Sequence, residues 1–361
     1  MFSKADRCTH EADWSSSSQI RIFQHMAVKQ PESAASALSS DKGVDFLDGL
    51  PDDLLLFTFS KLSATASAPA DLISLLLTCR RFNALGTHPM VLSKLSVKGV
   101  CVRAKTWSES AHRFLKRCTD AGSREACYTL GMIRFYCLEN RGSGASLMAK
   151  AAMGSHSAAL YSLAVIQFNG SGGSKNKKDL RAGVALCARA AYFGHIDALR
   201  ELGHCLQDGY GVKQNIGEGR RFLLQANARE LASVLSSEKL ASLAFVASSL
   251  LSDFGCSVPA VGGHGVNRFM VEWFEEKGEG REREGLRMCS HGGCGRPETR
   301  RHEFRRCSVC GVVNYCSRAC QAMHWKVAHK LECAPMERWL DGGEGMPAAG
   351  VQGGDVNLEG R

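Results

Sequence analysis

Between residues 289 and 333, seven cysteines and His329 fall into four close pairs: Cys289-x4-Cys294, Cys307-x2-Cys310, Cys316-x3-Cys320 and His329-x3-Cys333. No other feature of the chain constrains its folding so tightly. Thiolates at this density pair as disulfides, attack a substrate or hold a metal. Short spacers let one turn or helix start present both members of a pair to a single ion, and zinc takes four sulfur or nitrogen ligands tetrahedrally. Eight ligands serve two zinc ions and leave no coordination position open. A closed site cannot activate a water, so the cluster reads as structural rather than hydrolytic.

The redox setting supports the metal reading. The N-terminal stretch "MFSKADRCTHEADWSSSSQIRIF" interleaves charges where a secretory signal needs an apolar run, and no window approaches eighteen uninterrupted apolar residues. These patterns predict an intracellular chain, nuclear or cytoplasmic, with no membrane association. Thiols stay reduced there, so sixteen cysteines point to metal ligands and small buried hydrophobes rather than disulfides. The nine cysteines outside the cluster (8, 79, 101, 118, 127, 137, 187, 205 and 256) show no metal-type pairing and read as buried small side chains.

The spacing, together with "YCSRACQ", Trp325 and "HKLEC", resembles a MYND-type zinc finger over residues 289–333. That resemblance implies an interleaved, cross-braced arrangement. Cys289, Cys294, Cys316 and Cys320 would hold one ion, and Cys307, Cys310, His329 and Cys333 the other. Trp325 would pack against the metal core, and His291, His302 and His324 would serve as surface or packing residues.

The formal charge is +9, and ten Lys/Arg against four Glu over residues 287–338 account for +6 of it. Alone, such an excess suggests nucleic acid or an acidic partner. Coordinated thiols are deprotonated, so seven thiolates and two zinc ions bring the total to about +6. The arginines at 296, 300, 301, 305 and 306 would then partly balance anionic centres. No base-reading helix accompanies the cluster, which argues against nucleic acid.

Upstream, residues 1–45 are polar and aperiodic and predict a disordered tail. At Leu50 the texture changes. "LPDDLLLFTFSKL" places Pro51 at a helix start, Asp52 and Asp53 in the first turn, and Leu55, Phe59 and Leu62 at helical spacing. "DLISLLLTCRRFNAL" predicts a second helix capped by Asp71, and a short third helix opens near Pro89. "LPDDLL", "CRRFNAL" and "HPMVL" together resemble an F-box over about residues 46–95. The resemblance implies docking on a Skp-type adaptor and its cullin through a surface drawn from Leu50, Pro51, Leu54, Leu55, Leu75, Leu76 and Cys79.

The middle of the chain repeats. "AAMGSHSAALYSLA" (151–164) matches "AAYFGHIDALRELG" (190–203) at an offset of 39, and "GSREACYTLG" (122–131) precedes the first by 33. Periods of this size mean stacked helix pairs. The pattern resembles Sel-like repeats, relatives of the tetratricopeptide family, with core repeats over 110–230 inside a helical region 96–251. His156 and His195 recur as turn hydrogen-bonders, and "GSGGSKNKKD" (170–179) reads as an insertion. Such a solenoid serves equally as a partner-binding surface or a rigid spacer, and the helix near 231–251 would cap it.

Residues 252–286, with "EEKGEGRERE", predict a linker; 287–336 hold the finger; 337–361 predict a second disordered tail. The fold class is mainly α: a three-helix F-box unit, an α-solenoid of Sel-like repeats, and a small double-zinc finger. This combination looks like plant proteins of that type. It implies a non-catalytic substrate receptor of a Skp-cullin-F-box ubiquitin ligase that selects an unknown target protein. The competing implication is a scaffold or transcriptional co-regulator outside any ligase. Residues 96–285 show no nucleophile–base pair or phosphate loop, so no enzyme is expected.

Overall fold

The computed structural model describes residues 47, 49–235, 263–277 and 285–335. The two predicted tails, the cap beyond residue 235 and most of the predicted linker lie outside them. Among the described residues no helix is long and apolar enough to cross a membrane.

The chain is mainly helical. The first unit comprises α1 (Asp52–Thr65), α2 (Pro69–Leu76), α3 (Arg80–Gly86) and α4 (Pro89–Leu92). The expected second helix is thus two helices. Thr78 Oγ1 donates back to the Leu75 carbonyl at 2.8 Å, and Asn83 Nδ2 donates to the Leu76 carbonyl at 2.9 Å. Those bonds satisfy the open end of α2, and Cys79 caps α3. Asp71 is not the cap of α2: the helix starts two residues earlier, at Pro69. The Asp71 carboxylate instead reaches back to accept from the amides of Ser67 and Ala68, at 2.7 and 3.2 Å. Those bonds hold its pKa below the usual carboxylate value.

Leu55, Phe59, Leu72, Ile73, Leu76, Val91 and Leu92 form the core of this unit, with Phe82 edge-on to Phe59 at 5.1 Å. Burial removes two residues from the expected adaptor surface. Leu55 and Leu76 face inward and have no area left to offer a partner. Leu50, Pro51, Leu54 and Cys79 are exposed and Leu75 is half-buried, while Leu62, expected inside, is largely outside. The sequence reading also omitted Phe57, which is 60% exposed beside Leu54 at 51%.

Two 3-10 turns (Lys98–Val100 and Ala104–Thr106) lead into helix pairs: α5 (Glu109–Asp120) with α6 (Arg124–Met132, extended by a π turn through Cys137), α7 (Arg141–Met153) with α8 (Ser157–Asn169), and α9 (Leu180–Tyr192) with α10 (Ile196–Asp208). A longer helix, α11 (Ile216–Leu235), follows. The repeat seen in the sequence is the turn inside each pair. A left-handed residue, Gly122, Ser155 or Gly194, precedes the cap, and Ser123, His156 or His195 accepts from the third amide of the next helix. His156 and His195 are therefore N-caps, using Nδ1 at 3.1 and 3.3 Å.

Between pairs, glycine permits close crossing. A Cβ on Gly144 would stand 2.7 Å from the Gly131 carbonyl, and one on Gly219 would stand 2.8 Å from the Gly203 carbonyl. Alanines 111, 126, 151, 159, 164, 190 and 198 and Cys118, Cys187 and Cys205 fill the remaining seams. Burial pushes the Cys118 and Cys205 thiols up to about 12, which keeps them inert hydrophobes.

One boundary is corrected. The predicted linker contains α12 (Gly265–Lys277), whose Val266, Phe269, Met270 and Trp273 are buried. Trp107 meets Phe269 edge-on at 5.3 Å, and Glu272 accepts the Ala104 amide at 3.1 Å. Residues 265–277 thus form part of the repeat body, because the apolar stripe at i, i+3, i+4, i+7 has a seat there. The finger follows, with two-residue antiparallel strands β1 (Arg305–Arg306) and β2 (Asn314–Tyr315), α13 (Arg318–His324), a π turn to His329 and α14 (Lys330–Glu332).

Candidate metal centres and their seat on the repeats

The finger brings its eight candidate ligands into two groups. Cys289, Cys294, Cys316 and Cys320 offer sulfurs within 4.8 Å of one another, and so do the ligand atoms of Cys307, Cys310, His329 and Cys333. The Cys294 and Cys316 sulfurs are 3.5 Å apart, Cys316 and Cys320 3.6 Å, and Cys307 and Cys333 3.9 Å. Cys310 Sγ lies 3.6 Å from His329 Nε2. Disulfides need about 2.05 Å, so none is formed. A tetrahedral zinc with bonds of about 2.3 Å to sulfur and 2.0–2.1 Å to nitrogen has edges of about 3.8 and 3.6 Å. The donor sets therefore fit zinc in chemistry and in spacing.

Local sequence explains the placement. Ser317 caps α13 by accepting from the Cys320 amide at 3.1 Å, which fixes Cys316 and Cys320 one turn apart. The hairpin of β1 and β2 sets Cys307 and Cys310 beside His329, and the Cys289 amide donates to the Arg296 carbonyl at 2.8 Å to close the first loop. Of the other histidines, His324 stacks on His329 at 5.5 Å and bonds Tyr315 OH at 3.0 Å. Trp325 is edge-on to His329 at 5.7 Å and 41% exposed, so it only partly covers the centre.

The finger is seated on the repeats rather than tethered to them. Tyr161 OH on α8 donates to Ser317 Oγ at 3.0 Å, and Asn169 Nδ2 donates to the Cys316 carbonyl at 2.8 Å. Buried Glu201 on α10 accepts the Ala319 amide at 2.9 Å. The loop read as an insertion is a docking loop. Its Gly172 amide donates to Thr299 Oγ1 at 2.8 Å, Ser171 bonds Glu303, and Arg300 donates to the carbonyls of Asn169 and Gly170.

Among the arginines expected to balance the thiolates, Arg296 does so directly. It is 5% exposed; its Nη1 donates to Cys294 Sγ at 3.4 Å and its Nη2 to Ser162 Oγ at 2.8 Å. The guanidinium also lies 5.9 Å over the Tyr161 ring. Arg300 spends its donors on carbonyls and Arg306 on His302, away from sulfur.

A third cluster, Glu125, His156 and His264, was not anticipated. Its ligand atoms also lie within 4.8 Å. It does not suit a metal. Both rings turn Nδ1 to a backbone amide, His156 toward Ala159 and His264 toward Val266, so each Nε2 carries the proton that Glu125 accepts, at 3.1 and 3.4 Å. Tyr128 sits 4.8 Å from both rings and bonds Ser162, which continues the network to Arg296.

Burial opposes ionisation of Glu125, yet the two histidines hold its pKa down to about 2, from 4.5. A depressed carboxylate stabilises the fold fully above its unfolded value and loses that effect as pH falls through the folded one. Glu125→Gln is expected to cost about 1–2 kcal/mol at neutral pH, discounted for partial exposure. In paired urea titrations the gap between wild type and variant should close between pH 4.5 and about 2. A gap that persists unchanged to pH 2 would refute the clasp.

Two family models match the repeats and the finger. Residues 98–188 match a family described as plant tetratrico peptide repeats, and residues 289–333 match the MYND finger. F-box protein At1g67340 of Arabidopsis thaliana is 64% identical over 334 residues, covering 87% of this chain and 88% of that protein. F-box protein At5g50450 of the same plant is 61% identical over 293 residues, covering 81% of this chain and 86% of that one. A Sel1 repeat protein from Oxalobacter formigenes superposes with a TM-score of 0.38 at 13% identity, over 61% of this chain and 84% of its own. At 64% identity over 87% of this chain and 88% of the first of these relatives, the chain belongs to the family of these Arabidopsis F-box proteins.

Proposed function

We propose that this chain is a non-catalytic substrate receptor of a Skp-cullin-F-box ubiquitin ligase. Residues 46–95 would dock the adaptor, and the repeats with the seated finger would select the target. The observation that carries the reading is the apolar row Leu50, Leu54 and Phe57, exposed on α1 and its approach while Leu55 and Phe59 on the opposite side hold the unit together. A row of exposed leucine and phenylalanine beside a complete core marks an interaction surface. Leu77 and Met90, at 46% and 56% exposure, extend the apolar surface of the same unit, and the relatives' description as F-box proteins supports this reading.

In this reading Cys289, Cys294, Cys316 and Cys320 hold one zinc ion, and Cys307, Cys310, His329 and Cys333 the other. When bound, the metal supplies only structure. The chain itself works by proximity, raising the effective concentration of target lysines at the conjugating enzyme. A scaffold or co-regulator outside any ligase is the second reading. It is favoured by the solid seating of a MYND finger, which needs no F-box.

The test is co-purification of the tagged chain against Leu54→Asp plus Phe57→Asp, scored for a Skp-type adaptor and cullin. Both residues are exposed, so the variant keeps its core; Leu55→Asp would not. Adaptor capture is expected to fall at least about a hundredfold, as for loss of two central apolar anchors, with an unchanged melting curve. Absence of adaptor from the wild type, where a control F-box captures it, refutes the receptor reading.

A further inference from the structure

Seating the finger on the repeats creates a cleft that neither module has alone. It lies between α10, α11 and the finger helix and has a volume of about 540 Å³. That is room for one or two side chains of a peptide. Its apolar wall is Leu223, Leu224 and Ala322, and Leu224 is 64% exposed. Such an apolar side chain on a helix otherwise covered by Arg220, Arg221 and Arg229 has no packing role visible in the described residues.

The cleft's polar wall carries one sign of charge. Arg200, Arg220 and Lys326 line it, and among the described residues no carboxylate does. Glu230, 5% exposed, lies behind this wall, 2.8 Å from Arg200 Nη2 and 3.7 Å from Lys326 Nζ. It positions two cations and does not line the opening. Arg200 is 2% exposed, and its Nη1 has no hydrogen-bond partner among the described residues; Asp197 Oδ1 stands 3.6 Å away. Arg200 is held behind the cleft surface by the Glu230 and Asp197 carboxylates, so it shapes the field there and leaves direct contact to Arg220 and Lys326. Burial and the neighbouring Arg318 hold the His204 pKa down to about 4, so this lining residue adds no charge at neutral pH.

We propose that this cleft recognises an acidic peptide segment bearing a leucine-sized side chain, with the apolar group against Leu223 and Leu224 and its flanking carboxylates on Arg220 and Lys326. A peptide suits the site better than single-stranded nucleic acid, because among the described residues no phenylalanine, tyrosine or tryptophan lines the cleft to stack a base. The cations come from both modules, Arg200 and Arg220 from the repeats and Lys326 from the finger, so recognition depends on the docked arrangement. The inference rests on the receptor reading only for what the bound segment is for.

The test pans a phage-displayed random dodecapeptide library on the zinc-loaded full chain and on Arg220→Glu plus Leu224→Asp, two exposed α11 substitutions. Wild type is expected to enrich sequences in which Asp or Glu flank Leu, Ile or Phe. The best such peptide, fluorescein-labelled, should lose at least about tenfold in affinity on the double variant, equivalent to about 1.4 kcal/mol. It should also lose about severalfold on Lys326→Gln, and its binding should weaken with salt. No enrichment, enrichment of neutral or basic sequences, or equal affinity for the double variant overturns the proposal. Adaptor capture by the same variants separates the two ideas: a failed cleft with adaptor retained leaves the receptor reading standing, and a wild type without adaptor refutes that reading alone.

Discussion

Stripping zinc from the purified chain with a strong chelator is expected to unfold residues 289–333 and to loosen the repeats behind them. The finger has little else to hold it: two-residue strands, a seven-residue helix, and Phe304, Tyr315 and Met323 as its largest buried apolar side chains. Structural zinc contributes an apparent folding free energy of about 10–16 kcal/mol in zinc-finger peptides at neutral pH. The loss does not stop at the finger. Tyr161, Asn169 and Glu201 all bond to backbone or side-chain groups between Cys316 and Cys320. The melting temperature of the helical body should therefore fall by about 10 °C or more, the shift that several kcal/mol produce in a domain of this size.

Circular dichroism melts with metal analysis check this outcome. Two equivalents of zinc should restore the melt, and magnesium should not, because it prefers hard oxygen ligands. Cys316→Ser should retain one zinc per chain. Amide exchange protection that survives chelation across 289–333 would mean that the ligand assignment is wrong.

The second large effect belongs to Arg296. Its guanidinium spans a cluster sulfur and the Ser162 hydroxyl while buried, and Nε has no hydrogen-bond partner among the described residues. Arg296→Ala leaves a thiolate-rich centre and Ser162 without their cation, and removing one partner of a buried charged network costs about 3–5 kcal/mol. Arg296→Lys is expected to restore little, because one ammonium cannot reproduce the forked geometry that reaches both groups. Urea unfolding of zinc-saturated protein measures the loss. Zinc competition titrations should show weaker retention at the first cluster than at the second, which Arg296 does not touch. An Arg296→Ala chain as stable as wild type would show that the thiolates need no protein counter-charge.

The two Cys/His groups and the repeat turn were readable because the close pairs and the turn are local. Cys316 and Cys320 share one helix start, and His156 and His195 sit beside the turns they cap. Helix α12 was also readable: Val266, Phe269, Met270 and Trp273 keep helical spacing. The charged run after it and the glycines before it drew the reading toward a linker. Leu55 and Leu54 are neighbours in an apolar run, and only packing against Leu72 and Ile73 separates an inward side chain from an outward one. Asp71 looked like a cap because it directly precedes the apolar run of Leu72, Ile73, Leu75 and Leu76; Pro69, pre-set for the first turn, places the start two residues earlier.

By itself the sequence determined which atoms could bind metal and that helix pairs would stack, since spacers of a few residues and a period near 39 act through covalent geometry and short-range hydrogen bonds. Only the tertiary structure decided that the finger is bolted to the repeats, that Arg296 rather than Arg300 or Arg306 faces a cluster sulfur, and that Glu125 joins two histidines from distant segments. Each of those contacts closes a loop of tens to more than a hundred residues: Arg296 to Ser162, Glu125 to His264, Ala319 to Glu201. Such pairings leave no periodicity in the chain, because their geometry is set by how whole helices pack and not by spacing along any one of them.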